Sequence, residues 1–301
     1  MNGDLTNPLG TSVTQLLTDW TVEVTPGAAK KVDDFRNHLK LGTEVYIPYL
    51  PGSKFEDTIA TAEKLKSEGM NPVPHLAARS IPSELWLKRN LETMKGHVGL
   101  NHVLLIAGDI DTPVGEFCDT IQILDTGLFE RIEIPNIGVA GHPEGTPDIP
   151  EEEIQKALRR KNEYAKKTGS NVYITTQFVF EAEPVIDWER RIRMDGNELP
   201  IRIGIPGIAT IKTLLSHARA CGVGPSIKFL TKQARSVAKL MQPSSPDALI
   251  LDLSRQRLNQ DSLIRGVHVY PFGGLTKSAA WFSAVSNNDF TIDFGRNRMT
   301  L

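Results

Sequence analysis

Cysteine is scarce in this chain: Cys118 and Cys221 are the only two in 301 residues, far apart and in no CxxC spacing. That excludes a disulfide scaffold and argues against a structural zinc site. No uninterrupted apolar stretch reaches the roughly 20 residues that a membrane-spanning helix needs. The opening residues, MNGDLTNPLGTS, lack the basic and apolar regions of a signal peptide. A cytoplasmic protein with reduced thiols, away from the membrane, is therefore expected. Charge of one sign is not in excess either. Lys and Arg number 34 against 36 Asp and Glu, for a net charge of −2. Such a balance gives no support for a nucleic-acid or acidic-membrane partner. Missing too is any GxGxxG after an early apolar run, the fingerprint of a Rossmann dinucleotide site.

What is present is a regular alternation. Short, β-branched apolar runs recur at 20–24 (WTVEV), 43–49 (TEVYIPY), 71–76 (NPVPHL) and 102–109 (HVLLIAGD). They continue at 136–141 (NIGVAG), 171–178 (NVYITTQF), 200–206 (PIRIGIP) and 265–270 (RGVHVY). Amphipathic, charge-rich segments such as 55–69 and 150–169 separate them. The second opens with Pro and three Glu and closes with Lys-Lys-Thr-Gly, the signals of a helix start and stop. Strand-length runs alternating with helices imply βαβ units and a parallel sheet. Eight of them in a chain of this size predict an α/β fold, a (β/α)8 TIM barrel. A doubly wound sheet is the second choice. No linker or composition break interrupts the chain, so one catalytic domain over 1–301 is expected. It has an N-terminal cap over 1–18, extra helices near 227–241 and 246–258 between the seventh and eighth strands, and a tail over 287–301.

In such a barrel the chemistry gathers at the carboxyl ends of the strands. Read in order, those ends offer Glu23, Tyr49, His75, Asp109, His142, Gln177, the Pro206-Gly207 turn, and His268 with Tyr270. Each has an ordinary structural explanation. Glu23 can be a solvated residue of an alternating strand, His75 and His268 satisfied core histidines, Gln177 a strand-end cap, and Asp109 a turn residue after Gly108. A single turn does not explain a whole series of proton-exchanging strand ends. His75, Asp109, His142 and His268 are ligand types for zinc or iron, but no HxH or HExxH spacing organises them, and no metal is expected. Residues 271–275 (PFGGL) are read as turn chemistry, with a phosphate-binding use of their amides as a minor alternative.

The strand-end motifs 22–27 (VEVTPG), 74–79 (PHLAAR), 104–109 (LLIAGD), 139–148 (VAGHPEGTPD), 174–180 (ITTQFVF), 205–211 (IPGIATI) and 266–273 (GVHVYPFG) resemble, in order, those of the methylenetetrahydrofolate reductases. That family shows FEFFPP, PHLTC, LRGD, VAAYPEVHPE, ITQFFF, PGIMPI and HFYTLN at corresponding places. The resemblance implies a (β/α)8 barrel that uses FAD to pass a hydride between NAD(P)H and the one-carbon bridge of methylenetetrahydrofolate. It makes Glu23 the general acid and places Asp109 between flavin and pterin. Gln177, Leu214 and Tyr270 become folate contacts. It brings Pro48, Tyr49, His75, Ala107, Gly108, Asp109, Ala140, His142, Thr146, Arg160 and Lys161 to the flavin.

This chain departs from the family pattern at several of those places. Ala107 stands for an Arg, Pro48 for a Thr, and His142 and Thr146 for a Tyr and a His. Gly274 falls where an Arg is expected, and Arg160 and Lys161 lie further from Gly169 than is usual.

The implied reaction opens the five-membered ring of methylenetetrahydrofolate to an iminium at N5, so the departing N10 needs a proton. A Glu raised by burial can supply it near neutral pH. A carboxylate such as Asp109 stabilises the cation, and a side-chain amide such as Gln177 donates and accepts in the plane of a pterin or nicotinamide. Three alternatives stay open: the same reaction by direct hydride transfer without flavin, a metal-assisted barrel lyase or hydrolase, and a folate- or flavin-binding protein without turnover. The direction of flux, toward methyltetrahydrofolate for methionine synthesis or away from it, is likewise open, as is homo-oligomerisation.

Overall fold

The computed structural model describes residues 7–50, 52–146, 149–221, 224–233 and 237–301. Eight parallel strands form a closed barrel: β1 (Thr21–Glu23), β2 (Glu44–Ile47), β3 (Asn71–Ala77), β4 (His102–Ile106), β5 (Asn136–Gly141), β6 (Asn171–Phe178), β7 (Ile201–Pro206) and β8 (Ile264–Tyr270). Their order round the barrel is β1-β8-β7-β6-β5-β4-β3-β2. The predicted (β/α)8 architecture is thus the observed one. All eight apolar runs became strands, because inward and outward faces are both covered and a continuous Val/Ile/Leu run suits that environment.

The helices follow their signals. Residues 55–69 give the helix Phe55–Ser67, with Glu56 and Asp57 in its first turn and Lys64 and Lys66 in its last, as the macrodipole favours. Residues 150–169 give Glu151–Thr168. Ser83 caps Glu84–Val98, and Gly99 ends it in the left-handed region. Beyond β7 come Ile211–Ala220, Gly224–Gln233, Val237–Leu240 and Asp247–Arg257, the last three covering the extra helices expected there. None of the helices among the described residues is long and apolar enough to cross a membrane. Cys118 and Cys221 are both exposed and in no disulfide.

The contacts divide the chain into two compact units. The first comprises Met1–Val22, Gly141–Glu153 and Thr175–Leu301; the second comprises Glu23–Ala140 and Ile154–Ile174. In the first, the helix Pro8–Leu16 packs on Asp247–Arg257, where Ser12 Oγ donates to the Ser254 carbonyl at 2.8 Å and Arg257 Nη1 to Gln15 Oε1 at 2.9 Å. An apolar cluster of Phe178, Leu214, Leu215, Ala218 and Leu230 receives Phe180, Phe229, Tyr270 and Phe272 on its partly exposed side. A short hairpin, Thr291–Asp293 with Arg298–Thr300, forms the tail. The second unit holds a buried cluster of Tyr46, Val73, Leu104 and Tyr173. There the two buried tyrosine hydroxyls share a 2.8 Å hydrogen bond, so neither polar tip is left unsatisfied in an apolar interior.

Candidate active site

In the second unit, Glu23 ends β1, and its Oε2 stands 3.8 Å from Nε2 of the buried His75 of β3. Burial pushes the Glu23 carboxyl above its ordinary value, while the nearby imidazole acts in the opposite sense. The Glu23 side chain keeps 20% exposure. The His75 ring meets the Tyr46 ring edge to face, with centroids 6.0 Å apart. Next to His75 lies a small recess lined by Tyr49, Phe55, Ala77, Ile81 and Trp86. Tyr49 donates its hydroxyl to the Ser53 carbonyl at 2.9 Å, and burial raises its pKa. Pro48 is buried beside it, and Ala140 is half-buried in β5.

The fourth strand ends sooner than its sequence suggests. Residues 102–109 read as one strand, yet β4 stops at Ile106. Gly108 has φ +95°, a backbone region that favours glycine, and a Cβ there would stand 3.2 Å from Ala77 Cβ. Asp109 therefore belongs to the loop beyond the strand, with its side chain exposed, so no charge has to be placed on the buried strand. The Ala107 carbonyl accepts a hydrogen bond from Arg79 N at 2.9 Å.

Arg160 and Lys161 are adjacent in sequence but differ in setting. Arg160 is exposed and pairs with Asp125 at 3.1 Å and with Glu163 at 4.0 Å. Lys161 is buried in the same helix, and desolvation lowers its pKa to about 8 against the opposing field of Asp119.

In the first unit, Gln177 is half-buried near the end of β6, where its Oε1 accepts from Phe178 N at 3.1 Å. Tyr270 ends β8 and donates its hydroxyl to the Thr176 carbonyl at 3.1 Å. Leu214 is 2% exposed inside the apolar cluster. His268 is completely buried, and its Nδ1 is 2.8 Å from Thr21 Oγ1. His142 and Thr146 are half-buried in the loop after β5; Pro147 and Asp148 of the same motif lie outside the described residues. Glu144 of that loop binds both the amide (3.1 Å) and the hydroxyl (2.7 Å) of Ser226 in the helix Gly224–Gln233. Of the paired glycines of 271–275, Gly274 has φ +106°, a region that favours glycine, and Gly273 has a packing reason. A Cβ on Gly273 would lie 1.9 Å from the Ile208 carbonyl oxygen. Among the described residues, no group of three or more His, Cys, Asp or Glu is placed to hold a metal ion.

Two features leave no signal in the sequence. Arg79 follows β3 at the end of the segment 74–79, where nothing in the residue pattern marks it. The His217 ring stacks on Phe272 at 4.0 Å and 17°, and Phe272 lies 4.9 Å from Phe178 and 5.8 Å from Tyr270. Neither partner stands out in sequence, because His217 and Phe272 are far apart and meet only through the fold.

The methylenetetrahydrofolate reductase family model matches residues 37–233. The chain belongs to that family. It is 26% identical over 233 residues to methylenetetrahydrofolate reductase 2 of Saccharomyces cerevisiae, a match covering 71% of this chain and 36% of that protein. The chain thus spans about a third of the length of that reductase. Its fold is similar to a Clostridium thermocellum protein whose structure is described as binding two copies of 5-methyl-5,6,7,8-tetrahydrofolic acid. Here the TM-score is 0.53 at 12% identity, covering 93% of this chain and 98% of the other.

Proposed function

We propose that this protein is a folate-dependent oxidoreductase that interconverts 5,10-methylenetetrahydrofolate and 5-methyltetrahydrofolate, with Glu23 as general acid. The observation that carries the reading is the Glu23–His75 pair at 3.8 Å, with the Glu23 pKa raised by burial, in a chain of the reductase family. In the reducing direction Glu23 gives its proton to N10 as the C–N10 bond breaks. The electron pair of that bond leaves with the nitrogen, and the carbon remains as a cationic iminium on N5. A hydride added to that carbon completes the methyl group. A protonated Glu is needed at the first step, and a carboxyl that is largely withdrawn from water stays protonated to higher pH than a solvated one.

Asp109 is assigned to the cation. Its exposed carboxylate carries no hydrogen bond or ion pair among the described residues, so its charge is available to a ligand. Gln177 is assigned to the amide edge of the pterin or of a nicotinamide. Its Oε1 is taken by a backbone amide, which leaves the NH2 group to donate. Tyr270 and Leu214 complete the folate contacts that the family resemblance implies.

For FAD, the donor set fits in part. Lys161 is a buried ammonium for which no ion pair is found among the described residues, a setting suited to a phosphate. Tyr49 and His75 would line the ring. Bound there, FAD would supply the hydride. A second reading, direct transfer from NAD(P)H, is favoured by two other observations. Arg160 is already paired with Asp125, and Ala107 has no side-chain donor while its carbonyl is engaged by Arg79.

The test is the visible spectrum of the purified protein before and after anaerobic addition of 5-methyltetrahydrofolate. Flavin bands that bleach are the expected result. A colourless protein that reduces methylenetetrahydrofolate with NADH moves the hydride to the direct route. A colourless protein without activity overturns the oxidoreductase reading.

A further inference from the structure

The loop from Ala107 to Asp119 joins β4 to the short helix Thr120–Asp125 and contains no regular element. Asp109, the residue of this loop assigned to the cation, makes no side-chain bond among the described residues that would hold it. Something else must fix its place, since an untethered loop carboxylate loses entropy when a ligand immobilises it.

Arg79 is the residue that reaches this loop most widely. It stands two residues past Ala77, whose register partner Ile106 is the last residue of β4. Its backbone N–H donates to the Ala107 carbonyl at 2.9 Å, and its own carbonyl accepts from Val114 N at 2.8 Å. Its guanidinium turns back into the same loop. Nε donates to the Cys118 carbonyl at 3.1 Å and Nη1 to the Ile110 carbonyl at 3.4 Å. The peptide groups on both sides of Asp109 are thus bound to one residue, Ala107 through the backbone and Ile110 through the side chain. Close packing holds the rest of the loop, for a Cβ on Gly115 would stand 2.2 Å from the Pro82 carbonyl oxygen. A planar guanidinium suits this task, because its donors diverge in a rigid fork toward carbonyls at different points of a loop.

We infer that Arg79 is the positioning residue of Asp109. It clamps the loop on either side of that carboxylate and so sets where a cationic or hydrogen-bond-donating ligand meets it. Arg79 acts through the loop and touches no ligand itself. The consequence for folate rests on the function proposed above; the clamp itself does not.

Two measurements on the full chain test this, using Arg79→Met, Asp109→Asn and the double variant. The first is hydrogen exchange of the amides from Gly108 to Gly115, with no ligand present. Faster exchange in Arg79→Met is expected, and unchanged exchange overturns the clamp. The second is calorimetric binding of 5-methyltetrahydrofolate. Each single variant is expected to bind about tenfold more weakly, as suits the loss of one charged hydrogen bond. The double variant is expected to be no weaker than Asp109→Asn, because Arg79 works only through Asp109. Additive losses overturn the inference, and so does wild-type affinity in Arg79→Met. Arg79→Lys keeps the stem and the charge but not the fork. It is expected to show both changes at smaller size, and it takes the place of Arg79→Met if that protein does not fold. A wild-type protein that does not bind 5-methyltetrahydrofolate contradicts the folate reading alone, and hydrogen exchange then decides the clamp.

Discussion

The two units finish their strands differently. In the second, two titratable and poorly solvated residues of β1 and β3 meet, Glu23 and His75, with Lys161 buried in a helix of the same unit. In the first, the residues near the strand ends are rings and an amide. Phe178, Tyr270 and Phe272 form an aromatic wall that His217 extends by stacking, and Gln177 precedes Phe178 in β6. Even the histidines differ. His75 faces a carboxylate, while His268 is closed off by Thr21. Proton transfer needs a charge held where water does not level its pKa, and that arrangement costs stability. Recognition of a flat ligand needs ring surface and a few directional polar groups, and an aromatic wall costs no such penalty. If the proposed function holds, this contrast gives proton chemistry to one unit and recognition to the other.

The largest expected effect falls on Glu23. Glu23→Gln should retain folate binding and lose about 10²–10⁴ in turnover, the usual worth of a general acid, as read by steady-state rates against calorimetric affinity. The same change tests the stability side of the contrast. The Glu23 pKa is raised in the folded chain above its ordinary 4.5. Its favourable, protonated contribution is therefore complete below that ordinary value and is lost as pH rises through the raised one. Above it the wild type holds a charged carboxylate in a poorly solvated place, whereas Gln does not. Melting temperatures from about pH 4 to about pH 8 should show Glu23→Gln gaining on the wild type as pH rises. A constant difference would mean that Glu23 does not titrate in this range.

Lys161 comes next. A fall from 10.5 to about 8 corresponds to about 3 kcal/mol of disfavour for the charged ammonium. The sign is opposite to that of a stabilising ion pair. The penalty is full below about pH 8 and disappears as pH rises toward the unfolded value of 10.5. Lys161→Met should therefore be the more stable protein at neutral pH, by up to about 3 kcal/mol, with the gap closing in alkali. Chemical denaturation at neutral and alkaline pH measures it. If Lys161 holds a phosphate of FAD, the same variant loses flavin while gaining stability, and loss without gain would place Lys161 in a satisfied ion pair.

These residues were unequally legible in the sequence. The barrel was readable because each apolar run has strand length and each intervening helix carries its own start and stop signals, as in 150–169. Glu23 is readable as the last residue of its strand, whereas β3 runs two residues past His75 to Ala77. For Asp109 the sequence misleads about where the strand ends. The apolar run continues to Ala107, and only the φ of Gly108 shows that the strand has already ended. Arg79 was invisible for a different reason. Its importance lies in three carbonyls and an amide of another segment, and backbone partners leave no side-chain pattern to read. Lys161 and Arg160 looked like a pair, but helical geometry turns one residue inward and its neighbour outward. The stacked His217 and Phe272 lie on separate elements, so only the fold could join them.

The smallest effect expected concerns that stack, and it bears most directly on the contrast between the units. His217 has its pKa lowered by partial burial, so near neutral pH it presents a neutral ring to Phe272, and the pair forms a flat, partly exposed surface next to Tyr270. A ring contact of this type contributes about 0.5–1.5 kcal/mol beyond its buried area. Phe272→Ala should therefore weaken binding of 5-methyltetrahydrofolate by about two- to tenfold. It should leave the pH dependence of turnover where Glu23 sets it. Comparison with 5-methyltetrahydropterin, which lacks the benzoyl-glutamate portion, sharpens the result. If the variant loses affinity for the folate and none for the pterin, the wall meets the benzoyl ring. Equal losses place the pterin against it. A shift in the pH profile with no change in affinity would dissolve the division of labour, because a residue of the aromatic unit would then be tuning the proton chemistry of the other.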